Sequence, residues 1–139
     1  MKDDQIYFRI LFRSPKYPAI VIAEDDIWPA FDIKELGTIC VLSEPLDHSD
    51  NMKVIDSTGE EFWYMHERIA LAPGFMRKRW TKKQIIELFN SSETAEESKI
   101  QYSLKSLSNK RLHVIVSEIC NILRHNMRDL GPAQNTRRQ

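Results

Sequence analysis

The chain has 139 residues, 42% hydrophobic and 29% charged, which argues against a disordered chain and fits one core of ordinary size. No apolar run approaches the roughly 20 residues that span a bilayer, so no membrane helix is expected. Formal charge sums to zero, yet residues 1–72 carry 7 Lys/Arg against 14 Asp/Glu while residues 73–139 carry 13 against 6. Halves of opposite sign suit different partners.

The segment Met1-Lys2-Asp3-Asp4-Gln5 lacks the basic start and apolar core of a signal peptide, and a cytoplasmic location is expected. Gln5 to Arg13 alternates, with Ile6, Phe8, Ile10 and Phe12 on one face, which predicts a half-buried strand. Pro15 and Pro18 break it. Ala19 to Ala23 is an apolar β-branched run and predicts a second strand. Trp28 reads as part of a proline-bounded loop, and Gly37 opens a third strand over Thr38–Leu42. Met52–Asp56 and Glu61–Met65 flank Ser57-Thr58-Gly59, where glycine supplies the positive φ of a hairpin loop. Ile69–Ala72 adds a short strand before Pro73-Gly74.

Helices follow. Thr81 with Gln84 forms a capping box, and Trp80 and Ile85 a hydrophobic staple, for a helix that ends near Asn90-Ser91-Ser92. Thr94 with Glu97 repeats the spacing and predicts a second helix burying Ile100, Leu104 and Leu107. Ser108 or Asn109 caps the third and longest, whose stripe is Leu112, Ile115, Ile119 and Leu123. Gly131-Pro132 stops it, and residues 131–139 read as a disordered tail. The expected fold is α+β: one domain over residues 1–130, with an N-terminal antiparallel sheet or small barrel of about five short strands and three C-terminal helices.

No nucleophile motif, phosphate-binding glycine loop or dinucleotide fingerprint is present. His48, His66, His113 and His125 lack zinc-site spacing, and Cys40 and Cys120 read as free apolar thiols. Neither an enzyme nor a metal or other cofactor is expected. Two surfaces stand out instead. Asp25, Asp26, Trp28, Asp32, Glu44, Asp47, Asp50, Glu60, Glu61 and Trp63 mix carboxylates with aromatics, the chemistry of an anchor for a cationic protein. Arg77, Lys78, Arg79, Lys82 and Lys83 surround Trp80 and suit a phosphate backbone. Lys82 and Lys83 stand in a first helical turn, where the dipole disfavours cations. A helix-turn-helix reading of the last two helices would place Lys105, Lys110 and Arg111 near a recognition helix.

The run Asp56-Ser57-Thr58-Gly59-Glu60-Glu61-Phe62-Trp63, then Leu71-Ala72-Pro73 and the Thr81-Lys82-Lys83-Gln84 helix start, resembles bacterial immunity proteins of contact-dependent inhibition and related polymorphic toxin systems. The resemblance implies a stoichiometric inhibitor that covers the active site of a cognate toxin domain, often a basic nuclease. That makes the acidic surface the first expected site. A nucleic-acid-binding regulator using residues 77–83 is the alternative, and a small enzyme of unknown reaction comes third.

Overall fold

The turn between Asp56 and Glu61 sets the register of the sheet. Gly59 takes φ +89, and Asp56 N donates to Glu60 O across the turn. The Asp56 carboxylate accepts from Thr58 N, the Thr58 hydroxyl, Glu60 N and Lys16 N, so its buried charge is fully hydrogen-bonded. From this hairpin the rest can be built. The structure, a computed structural model, describes residues 8–23, 26–42, 52–74, 78–103 and 109–130.

Six strands form one open sheet: β1 (Arg9–Ile10), β2 (Ala19–Ala23), β3 (Asp26–Ala30), β4 (Lys53–Ile55), β5 (Glu61–Met65) and β6 (Ala70–Pro73). Their spatial order is β1-β6-β5-β4-β2-β3. All pairs are antiparallel except β1 with β6. The helices are α1 (Ile33–Leu42), α2 (Lys82–Asn90), α3 (Glu93–Ser98) and α4 (Leu112–Leu130). The fold is α+β, with a mixed sheet rather than a purely antiparallel one; among the described residues β1 and β3 end the sheet and do not pair with each other, so these six strands do not close into a barrel.

Each face of the sheet has its own core. Ile20, Ile27 and Ile55 pack with Ile85, Ile86, Phe89, Ile115, Ile119 and Leu123 of α2 and α4. On the opposite face Val21, Val54, Phe62, Tyr64 and Leu71 pack with Leu36 and Cys40 of α1. Full burial of a Phe, Leu or Ile side chain contributes about 1.5–3 kcal/mol, so these two clusters dominate the favourable side of folding.

Several elements differ from expectation. Thr38–Leu42 is the end of helix α1, not a strand. Asp32 caps that helix by accepting from Glu35 N, and Glu35 reaches back to Phe31 N. This start outweighs the β-branched Thr38, Ile39 and Val41. Gly37 lies buried inside the helix, where an added Cβ would stand 3.1 Å from the Phe8 ring. Asp26–Ala30 is a strand rather than a loop; Pro29 is tolerated because β3 is an edge. The N-terminal strand pairs only at Arg9–Ile10, and residues 5–7 lie outside the described residues. Its last ladder bond is Leu11 N to Leu71 O. The chain then folds back with Arg13 N donating to Leu11 O, leaving Phe12 at φ +73 and 90% exposed instead of in the core.

The third expected helix is α4, and its stripe is buried at Ile115, Ile119 and Leu123, with Leu112 half-buried and Val116 buried beside them. The capping box of α2 forms with both of its bonds. Helix α3 is capped by Ser92, two residues before the expected Thr94, and it ends at Ser98 with Lys99 left-handed. Ile100 is therefore outside that helix and 42% exposed. Leu104, Leu107, Ser108 and the 131–139 tail lie outside the described residues.

At Gly59 an added Cβ would meet Trp80 O at 2.8 Å and Leu112 Cδ2 at 2.9 Å, on a backbone that L residues adopt at a cost of about 1–2 kcal/mol. Gly59→Ala is expected to lower unfolding free energy by about 2 kcal/mol or more. Urea denaturation checks this, and an unchanged midpoint would show that the turn does not hold the close approach described.

Candidate functional site

Glu61 joins the sheet to the helical half of the chain. Its carboxylate is buried, and each oxygen accepts one indole N–H at 2.7 Å: Oε2 from Trp63 and Oε1 from Trp80. Its own N–H donates to Lys78 O, and its carbonyl accepts from Gly74 N. Burial alone would raise the carboxyl pKa, but the two indole bonds together with Lys53 and Lys78 hold it below the usual value. The neighbouring Glu60 is also buried, and the Arg13 guanidinium engages both of its oxygens.

These attachments fasten residues 78–82 along the hairpin turn. Glu60 and Arg79 pair as a backbone bridge, Trp80 N donates to Gly59 O, and Arg79 Nη1 donates to the Thr58 carbonyl and hydroxyl. Lys78 Nζ sits 4.8 Å from the Trp80 ring centroid. Lys82 Nζ donates to Lys110 O at 3.1 Å, which brings the start of α4 beside the start of α2. Ser57 N donates to Lys16 O, which brings in the segment after β1.

The result is a basic end assembled from separate stretches of chain: Arg13, Lys16, Lys78, Arg79, Lys82, Lys83, Lys110 and Arg111. All but Lys82 and Lys110 are exposed. Among the described residues, the carboxylates bonded to the turn or to these cations are Asp56, Glu60 and Glu61, all buried, and Glu118, which pairs with Lys110. Neither α2 nor α4 has an acidic residue in its first turn, so two positive helix ends add to the same field.

Of the residues expected at an acidic interface, the described ones are dispersed. Glu60 and Glu61 are buried and engaged internally, because the incoming Trp80 and Arg13 convert a surface-looking pair into interior acceptors. Trp28 and Trp63 are both half-buried but lie on opposite faces of the sheet, with β4 and β2 between their strands. Asp32 is the exposed cap of α1, and Asp26 accepts from Ile27 N beside it in sequence. Asp25, Glu44, Asp47 and Asp50 lie outside the described residues, as does Arg77 of the basic segment. Lys105 of the helix-turn-helix reading also lies outside the described residues, as does the rest of the 104–108 stretch between α3 and α4. Arg13 and Lys16 carried no signal as members of a basic end, since they belong to the acidic half and reach this end only through long-range pairing.

Burial pushes both thiols up to about 12, Cys40 by desolvation and Cys120 by desolvation that a backbone contact and Arg124 only partly offset, so neither is a nucleophile at neutral pH. Both are free, one in each core. No group of three His, Cys, Asp or Glu among the described residues is placed to hold a metal ion, and no helix among them is long and apolar enough to cross a membrane. No family model, curated protein or solved structure matches the chain.

Glu61→Gln keeps one acceptor but turns an amide donor toward the second indole, which costs about 1–3 kcal/mol of stability at neutral pH. Because the folded carboxyl lies below its ordinary value of 4.5, its contribution is complete above that pH and fades as acidification passes through the depressed value. Urea midpoints of the wild type should therefore converge toward those of Glu61→Gln at acidic pH. A gap between the two proteins that stays constant from neutral to acid would contradict the assignment.

Proposed function

We propose that the chain is a non-catalytic binding protein that holds the phosphate backbone of a nucleic acid on its basic end. The carrying observation is the asymmetry around the hairpin turn. Among the described residues eight cations from distant stretches of chain converge there. Arg13 and Lys110 are ion-paired with Glu60 and Glu118, while Asp56 and Glu61 are buried and hydrogen-bonded to the turn and the indoles, so the cations outnumber the carboxylates that face them. A basic end with its carboxylates turned inward keeps outward donors for phosphate oxygens, and counterion release then drives binding. Cations packed at two helix starts oppose the local dipoles, and an anionic partner relieves that conflict.

A second reading is the stoichiometric inhibitor of a basic toxin domain implied by the resemblance to immunity proteins. It is favoured by one observation: Trp28 is half-buried on the edge strand β3, between Asp26 and the exposed Asp32. Withdrawal of Glu60 and Glu61 into the interior leaves it with less surface than the sequence offered.

Fluorescence anisotropy with a labelled oligonucleotide between about 50 and 200 mM salt separates the readings. Binding is expected to weaken steeply with salt. The triple variant Lys16→Gln, Lys83→Gln, Arg111→Gln should flatten the slope of log K against log salt by about 2. No binding at low salt, or a triple variant indistinguishable from wild type, would reject the phosphate reading in favour of a protein partner.

A further inference from the structure

We infer that Phe12 is a stacking platform that makes the basic end select unpaired, single-stranded nucleic acid over duplex. This rests on the phosphate-binding reading and names its substrate class. Among the large apolar side chains of the described residues, Phe12 is the most exposed at 90%, against 72% for Leu42 and 51% for Ile33. An aromatic ring held almost wholly in water gains nothing from the core.

Its backbone makes the exposure harder to dismiss. With φ +73 and Arg13 N bonded to Leu11 O at 2.9 Å, Phe12 is the central residue of a γ-turn of the rarer, strained hand. Glycine is the residue for such a site; a phenylalanine there carries strain that no packing offsets. Strain of this kind held in place by surrounding bonds is a recognised mark of a functional position. The surrounding bonds are present: Leu11 N to Leu71 O on one side and the Arg13–Glu60 ion pair on the other. The Phe12 backbone is thus held between two anchored neighbours where the chain leaves β1.

Its neighbours decide the partner. Arg13, Ser14 and Lys16 are all exposed, and Glu60, the partner of Arg13, is bridged in backbone register to Arg79. Among the described residues, the other exposed large apolar side chains, Ile33, Leu42 and Ile100, belong to α1 or follow α3, so none of them extends Phe12 into an apolar patch. A lone aromatic ring among cations is the arrangement that stacks a base while the adjacent charges hold its phosphates. Duplex hides the base faces and would leave the ring unused.

The test compares a labelled oligo-dT strand and a duplex of equal length against the full chain and its variants. The wild type should bind the single strand more tightly. Phe12→Ala should weaken single-strand binding by roughly 5- to 150-fold while leaving duplex affinity and the salt slope unchanged. Phe12→Trp should retain single-strand affinity and Phe12→Leu should not, since stacking needs a π face. Circular dichroism should match for all, because the side chain supports no core. A wild type that binds duplex at least as well as single strand overturns this inference and leaves the phosphate reading standing. So does a Phe12→Ala protein of wild-type single-strand affinity, or rescue by Leu. A wild type that binds neither overturns both.

Discussion

One buried carboxylate fixes how the two oppositely charged halves meet. Glu61 belongs to the acidic half and opens the second strand of the hairpin, yet Trp80, the residue that leads into α2, gives it an indole hydrogen bond. Hydrogen bonds to a charged acceptor contribute about 1.5–3 kcal/mol each, and Glu61 has two from side chains. Removing either donor would leave a buried charge short of partners, so the register of residues 78–80 against the hairpin turn is strongly determined. The capping box of α2 begins one residue later, and the direction of that helix follows.

The arrangement of charge follows from the same clamp. Holding Trp80 against Gly59 presents Lys78 and Arg79 outward beside the turn and places Lys82 against the start of α4. The carboxylates that would neutralise them are spent on structure: Asp56 on the turn, Glu60 on Arg13 and Glu61 on the indoles. Elsewhere the halves do neutralise each other, as where Arg124 of α4 pairs with Glu35 of α1 and lies over the Phe31 ring. Segregation along the chain is therefore partly cancelled in space at the α1–α4 contact and kept at the hairpin end.

Local interactions were legible in the chain, and long-range ones were not. The 57–59 turn, the Thr81–Gln84 box and the α4 stripe depend on residues within a few positions of one another, and each appears where the pattern placed it. Helix α1 was misread because the β-branched run Thr38–Val41 masked the Asp32–Glu35 start just upstream, a signal that was present and weighs more than propensity. The burial of Glu60 and Glu61 had no local sign. Their partners Arg13 and Trp80 stand 47 and 19 positions away, and adjacent glutamates before an aromatic strand look like a solvated rim. The same limit hid Arg13 and Lys16 from the basic surface, and it turned Phe12, an apolar residue in perfect strand alternation, into the most exposed large hydrophobic described.

The hairpin end is the proposed working surface. Amide and indole chemical-shift mapping of the isotope-labelled full chain during titration with a short oligonucleotide tests it directly. The account predicts perturbations concentrated at Phe12–Lys16, Thr58–Gly59, Lys78–Lys83, Lys110–Arg111 and the Trp80 indole. Perturbations centred on Asp26–Asp32 of the opposite sheet edge, or none at all, would contradict it.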